Sequence, residues 1–246
     1  MTAYQGGKKR IGKKIYEAII DNIDNIDQYD TYIEPFCGMC SVIRHFKNHN
    51  KLNLVANDIN TDVILLLKKI QSDSNWKPEL KCSREQFELY KKSNINSAER
   101  ALYGLTCSWG NIFFNNYRCD YRPDINYIER GFKGLTKLRP DILNVNFLNK
   151  NYLDLDVINS KNSIIYCDPP YKNNNLLNEL FIKFDSNLFW DFIKKINEFE
   201  SNIIFVSEIE CPLKNIVIKE FNSYSTNSNK TKRYTEKLFL ILKEEV

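Results

Sequence analysis

Residues 163–170 read Ser-Ile-Ile-Tyr-Cys-Asp-Pro-Pro. A short, nearly unbroken apolar run suits a strand covered on both faces, as in a parallel sheet between helices. The two consecutive prolines remove two backbone donors and fix two dihedrals, so the strand must stop at Asp168 and leave the sheet stiffly. The rest of the chain supplies partners for such a strand. Apolar residues at 11, 15, 19, 20 and 23 have helical spacing, and residues 29–36, "YDTYIEPF", read as a strand. Residues 41–48 read as a short helix, 53–58 as a second strand ending at Asp58, and 61–71 as a helix capped by Asn60 or Thr61. Regular patterning returns at 142–155, then a helix over 187–199 and a buried strand over 202–208. Two last strands, 215–221 and 237–243, are expected with a polar, Lys-rich hairpin connection between them. The alternation predicts an α/β sheet with helices on both faces and an antiparallel edge at the end.

In such sheets ligands bind outside the carboxyl ends of the strands. Three ends stand out: Phe36 to Gly38, Asp58, and Asp168 to Tyr171. Gly38 lets backbone approach a ligand closely. Asp58 follows it at the offset of about 20 residues that separates a glycine loop from a ribose-binding carboxylate. An ordinary strand-end turn has the same look. Asp168, the carbonyls of Pro169 and Pro170, and the Tyr171 ring suit a planar amine, with two N–H bonds to accept and a face to stack on. A capped turn with a packing tyrosine is the plainer reading, and both stand on these residues alone.

Cys37 and Cys40 form a C-x-x-C, but His45 and His49 follow too closely for a zinc finger, so no metal is expected. The histidines read as edge positions on a short helix. All seven cysteines are scattered, which suits free thiols in a reducing compartment.

Three stretches in order carry a resemblance to the Dam-like D12 class of adenine-N6 DNA methyltransferases. "YQGGKKR" (4–10) resembles the family's N-terminal aromatic-x-Gly-Gly-Lys signature. "EPFCGMCSV" (34–42), with "NDIN" (57–60) after it, resembles the P-F-x-G-x-G/S loop, and "DPPY" (168–171) its catalytic motif. The resemblance implies a Rossmann-like, S-adenosylmethionine-dependent methyltransferase sheet formed by 1–72 and 141–246. Residues 73–140 would be an inserted, mainly helical target-recognition region. It implies S-adenosylmethionine as cofactor, held by Tyr4, Lys8, Phe36, Gly38, Asp58 and Asp168, with Asp168, Pro169, Pro170 and Tyr171 catalytic. Lys8 also reads as part of a phosphate-facing cluster with Lys9 and Arg10, or of a disordered basic N-terminus. Cys40 stands where the family usually has a second glycine, which leaves the need for positive φ there open. Cys37 and Cys40 are then expected to be structural thiols beside the cofactor.

The implied activity is methyl transfer to adenine N6 of a flipped-out base in double-stranded DNA. The alternatives are transfer to RNA or to a protein glutamine amide, a non-catalytic nucleic-acid-binding subunit on the same scaffold, and, more distantly, a dithiol oxidoreductase. A net charge of +4 permits a nucleic-acid partner without demanding one. Arg118, Arg122, Arg130, Lys133 and Arg139 are the expected DNA contacts, interleaved with Trp109, Phe113, Phe114, Tyr117 and Tyr121, at least half of which are expected to be core. The cluster of Lys230, Lys232 and Arg233 reads as a solvated hairpin or a backbone contact. A cognate restriction endonuclease is a conceivable partner. No apolar run of 18 residues exists and no apolar core follows the basic N-terminus, so no membrane span or secretory signal is expected. The expected location is intracellular: the host cytoplasm, or a viral compartment if a virus encodes the chain.

Overall fold

Helical and extended periodicity alternate along the chain, and the computed structural model turns them into one mixed sheet. It describes residues 7–156, 162–170, 184–227 and 230–243. Five strands run parallel: β1 (Thr31–Glu34), β2 (Asn53–Asn57), β3 (Val145–Leu148), β4 (Ser163–Cys167) and β5 (Ile203–Glu208). Two long strands, β6 (Asn215–Asn227) and β7 (Lys230–Ile241), close one side as an antiparallel pair. The order is β3-β2-β1-β4-β5-β7-β6, with β7 antiparallel to β5. The order reverses between β1 and β4, the place where an open α/β sheet leaves a crevice at its carboxyl edge.

The period of two along each strand separates two cores. Tyr32, Ile164, Tyr166, Phe205 and Leu238 face one way. On that side they meet α1 (Gly12–Ile20) and α2 (Thr61–Ser72). Ile33, Ile165, Cys167, Ile204, Val206 and Phe239 face the other way, against the helix Ser186–Asn197. Asn60 caps α2, its side chain accepting from Asp62 N at 3.1 Å.

Residues 73–140 bring three helices: α3 (Arg84–Lys92), α4 (Ala98–Thr106) and α5 (Tyr127–Leu138). The remaining helix, Ser186–Asn197, is α6. Ser83 and Gln86 start α3 with a reciprocal capping box. Phe113, Phe114 and Tyr117 are buried, whereas Trp109 and Tyr121 are exposed. The buried side chains of this region belong to the same cluster as the α1 face of the sheet. The buried Arg100 guanidinium pins the two together. It pairs with Asp62 of α2, donates from Nε to Tyr90 O at 2.8 Å, and lies 4.7 Å over the Phe114 ring.

Two local expectations change. The helix expected over 41–48 is one 3-10 turn, Ile43–Phe46. Its short length follows from the tight loop that feeds it. The polar stretch expected to connect the last two strands is itself strand, paired from Asn215↔Ile241 to Asn227↔Lys230 with one irregularity between Val217 and Lys219. Ladder hydrogen bonds do not need apolar side chains, so polarity concealed the strand. Lys230, Lys232 and Arg233 therefore lie on β7.

At Gly12 the first turn of α1 lies against the loop after β1: a Cβ there would fall on the Ser41 carbonyl oxygen, well inside contact distance. Alanine normally improves a helix by roughly 0.5–1 kcal/mol over glycine. Gly12→Ala is expected to do the opposite, costing about 1–3 kcal/mol through overpacking, seen as a lower midpoint in thermal unfolding.

Candidate active site

β2, β1 and β4 are neighbours in the sheet and parallel, so their carboxyl ends lie on one edge. Asp58 follows β2, Phe36 and Gly38 follow β1, and Asp168 with Pro169 and Pro170 follows β4. Strands are spaced about 4.8 Å apart, so the three ends fit within roughly 10 Å. The arrangement brings together Phe36, Gly38, Asp58, Asp168, Pro169 and Pro170. Tyr4 and Tyr171, assigned here from the sequence, lie outside the described residues.

The loop after β1 is bound to the end of β2. Gly38 N donates to Asp58 Oδ2 at 2.9 Å, and Cys37 N donates to Asn57 O at 2.8 Å. Asn60 N donates to the other Asp58 oxygen at 2.9 Å. Burial pushes the Asp58 carboxyl up, and these two backbone bonds pull it back. A carboxylate has about four lone-pair sites, so each oxygen keeps capacity for a ribose hydroxyl beside its backbone N–H. Gly38 at φ 47° and Cys40 at φ 56° both lie in the left-handed region. The loop thus bends at two places, the second with a cysteine. Phe36 borders it with Tyr152, Phe184 and Phe189 at centroid distances of 5.0, 6.2 and 5.8 Å, an aromatic wall suited to a purine. A bent loop carrying a buried carboxylate beside an aromatic wall fits the nucleoside end of S-adenosylmethionine.

Cys37 and Cys40 are buried free thiols. The contact with Cys40, followed by burial, holds the Cys37 thiol well above its ordinary range, which disfavours the reactive thiolate. Among the described residues no group of three or more His, Cys, Asp or Glu side chains could hold a metal. His45 and His49 pack round Tyr16, whose hydroxyl lies 2.9 Å from His49 Nε2.

Lys8 is the residue whose place most differs from a solvent-facing basic cluster. It is buried while Lys9 and Arg10 are exposed. Its Nζ lies 2.7 Å from Asp168 Oδ1 and 3.1 Å from Glu236 Oε1. Both contacts are within ion-pair distance. Burial alone would pull the ammonium down; Asp168 and Glu236 outweigh it and leave Lys8 above its usual value. Lys8 is thus joined directly to the predicted catalytic carboxylate.

Sequence reasoning passed over three further carboxyls here. Glu236 alternates with Leu238 on an inward-facing strand position and is 3% exposed, a charge inside an apolar alternation that could have been noticed. Glu208 ends β5, where burial pushes its carboxyl up to about 7. Glu34 ends β1 and accepts the Tyr32 hydroxyl at 2.8 Å. Its burial pushes the carboxyl up to about 8, against hydrogen bonds from Tyr32 and the Ile43 backbone.

The expected DNA contacts divide. Arg118 is half-buried, donates from Nε to Thr106 O at 2.9 Å and lies 4.0 Å over the Tyr127 ring. Arg122 is exposed and bidentate to Asp124. Arg130 and Lys133 are exposed on α5, one turn apart, with Lys133 paired to Glu129 at 2.6 Å. Arg139 is half-buried at the end of α5.

Cys40→Val would force a β-branched side chain into the left-handed region. An expected cost of about 2 kcal/mol should appear as a lower denaturation midpoint, with Cys40→Gly much better tolerated. For Glu34, the folded chain keeps a proton that the unfolded chain releases above about 4.5. Stability is therefore lost as pH rises from about 4.5 through about 8. Glu34→Gln, which keeps an acceptor for Tyr32, should gain on the parent protein across that window, by at most roughly 1.4 kcal/mol per pH unit, in denaturant titrations at several pH values.

Comparison with known proteins bears on the family of the whole chain. The family described as D12 class N6 adenine-specific DNA methyltransferase matches residues 4–235, nearly the whole chain. No curated protein matches by sequence. Among solved structures, a precorrin-6y C5,15-methyltransferase from Geobacter metallireducens is 9% identical, covering 99% of this chain and 93% of its own, at a TM-score of 0.44. An S-adenosylmethionine-dependent methyltransferase from Clostridium acetobutylicum is 14% identical, covering 96% and 79%, at 0.36. Both likenesses are loose; the α/β, Rossmann-like fold stands on the sheet itself, and the family on the sequence match. The chain belongs to the D12 class N6 adenine-specific DNA methyltransferase family, with S-adenosylmethionine as its cofactor.

Proposed function

We propose that this methyltransferase acts on the exocyclic N6 of adenine in double-stranded DNA, at a sequence chosen by residues 73–140. The observation that carries the proposal is the joining of Lys8 to Asp168, at 2.7 Å, on the edge where the Gly38–Asp58 loop lies. An aryl amine is a weak nucleophile because its lone pair is shared with the ring. Asp168 and the Pro169 carbonyl would accept its two N–H bonds and turn the lone pair out of the ring plane. S-adenosylmethionine, when bound, would supply an activated methyl group: the methyl–sulfur bond breaks as the carbon–nitrogen bond forms, S-adenosylhomocysteine leaves, and the alkylated nitrogen loses one proton to solvent.

The chain's own residues then contribute placement and electrostatics, and no covalent intermediate is required. Asp58 would hold the ribose hydroxyls, Phe36 would border the cofactor's base, and Gly38 would let backbone come close. Lys8 would act on Asp168 instead of on the cofactor's carboxylate. Pro170 keeps the corner stiff; Tyr4 near the cofactor and Tyr171 stacked on the target base complete the proposal. An adenine inside a duplex is out of reach, so it must be flipped out at a cost of a few kcal/mol.

For DNA contact, Arg130 and Lys133 are the best-placed cations, exposed on one face of α5. Arg122 would join them by exchanging Asp124 for a phosphate. Arg118 and Arg139 would shape the surface from within. The exposed Trp109 and Tyr121 rings, 4.9 Å apart, offer flat apolar area beside these charges.

The test is expression in a host that does not methylate its own DNA, followed by sequencing with a modified-base readout. N6-methyladenine at one recurrent motif is expected; its absence, with transfer found instead to RNA or protein, would overturn the proposal. Asp168→Asn, which keeps the shape of the side chain and one acceptor for Lys8, should abolish transfer in a protein that still folds, at a lower melting midpoint because the buried ammonium loses a counter-charge; retained activity would remove Asp168 from the mechanism.

A further inference from the structure

Lys8, Asp168 and Glu236 come from the two ends and the middle of the chain, yet one ammonium touches both carboxylates. The three are not equivalent. Asp168 is 16% exposed and sits at the open edge, whereas Glu236 is 3% exposed and lies on β7, farther from solvent. Strand parity puts Asp168 and Glu236 on the same face, with Glu34: Glu34 follows Tyr32, Asp168 follows Tyr166, and Glu236 precedes Leu238, all on the α1 side of the sheet. At 3% exposure Glu236 offers a substrate amine far less access than Asp168 at 16%.

Burying a carboxylate at an inward strand position is a poor way to gain stability, since an apolar side chain of similar size usually does as well or better. Its place behind Lys8 points to a different use. We infer that Glu236 is a positioning residue for methyl transfer, holding Lys8 from behind so that Lys8 can orient Asp168 toward the adenine amine. The inference rests on the reading that Asp168 accepts that amine.

The physical argument concerns competition. As N6 gains its methyl group it becomes cationic, and its N–H bonds then draw on the same carboxylate charge that compensates the buried ammonium. With Asp168 as its main counter-charge, Lys8 would be left under-compensated at the moment of reaction, and desolvation would favour loss of its proton. A neutral Lys8 no longer orients a carboxylate by charge. Glu236 supplies a second negative charge that the substrate does not draw upon. Among the described residues the other titratable groups that sense this cluster are Glu208 at the end of β5, with Lys8, Asp168 and Glu236; Glu34 at the end of β1, with Asp168; and, on β4, Tyr166, with Asp168 and Glu236, and Cys167, with Asp168. Lys9 and Arg10, next to Lys8 in the chain, are exposed.

The test is a double-variant cycle with Glu236→Gln, Lys8→Met and the pair together, assayed by methyl transfer to DNA. Melting curves and S-adenosylmethionine affinity establish that each variant is folded. Glu236→Gln is expected to lower kcat by roughly 10–100-fold, the range for partners that orient reacting groups, with KM for cofactor and DNA nearly unchanged. Its kcat should also fall off at a lower pH on the alkaline side, a shift that a purely structural residue would not produce. In the Lys8→Met background the same substitution should add less than about twofold, because both act through one contact. A Glu236→Gln enzyme as fast as the parent, an unmoved alkaline limb, or losses that multiply in the double variant would each overturn the inference. Should Glu236→Gln not fold, Glu236→Leu replaces it in the same cycle, with the same outcomes. Parent activity on DNA adenine is the reference throughout: without it the reading beneath this inference fails, and with it the variants decide this inference alone.

Discussion

The site depends on a buried ammonium. Lys8 reaches inward just before α1 and meets carboxylates that end β4 and lie within β7. Removing an ammonium from water costs several kcal/mol unless charge and geometry compensate it. The compensation here requires the N-terminal segment, the Asp168 corner and the last hairpin to be in place together. Secondary structure thus serves to bring three remote residues within ion-pair distance.

A second constraint is the parallel sheet. Because β2, β1 and β4 are adjacent and parallel, three turns that are far apart in the chain emerge side by side. The bond from Gly38 N to Asp58 then fastens the glycine loop to the neighbouring strand end, so loop shape and carboxylate position are set together. The positive φ at Cys40 shows that the second bend is kept with a cysteine where the family usually has glycine. A small side chain tolerates this at modest strain, and its thiol is buried in the core instead of serving as a reactive group.

Much of this was legible beforehand. Strands β1, β2, β4 and β5 announced themselves through short apolar runs, and α1, α2 and α6 through helical spacing. Asp58, Gly38 and Asp168 stood out because each ended a run with a residue that changes backbone or charge. The 3-10 turn at Ile43–Phe46 and the full length of the β6–β7 hairpin did not, since turn tightness and ladder pairing leave little trace in polarity. The partial burial of Arg118, expected as a DNA contact, was not legible either: it comes from packing on Tyr127 and a bond to Thr106.

Local sequence by itself determined where strands stop, which turns are stiff, and that a carboxylate and a glycine loop stand at neighbouring ends; those are properties of short segments and their backbone preferences. Only the tertiary structure decided that Lys8 turns inward to Asp168 and Glu236, and that Glu208 and Glu34 are buried within electrostatic reach of Asp168. Burial and charge compensation are properties of the assembled molecule, set by groups more than a hundred residues away, and no local pattern encodes which distant partners will meet.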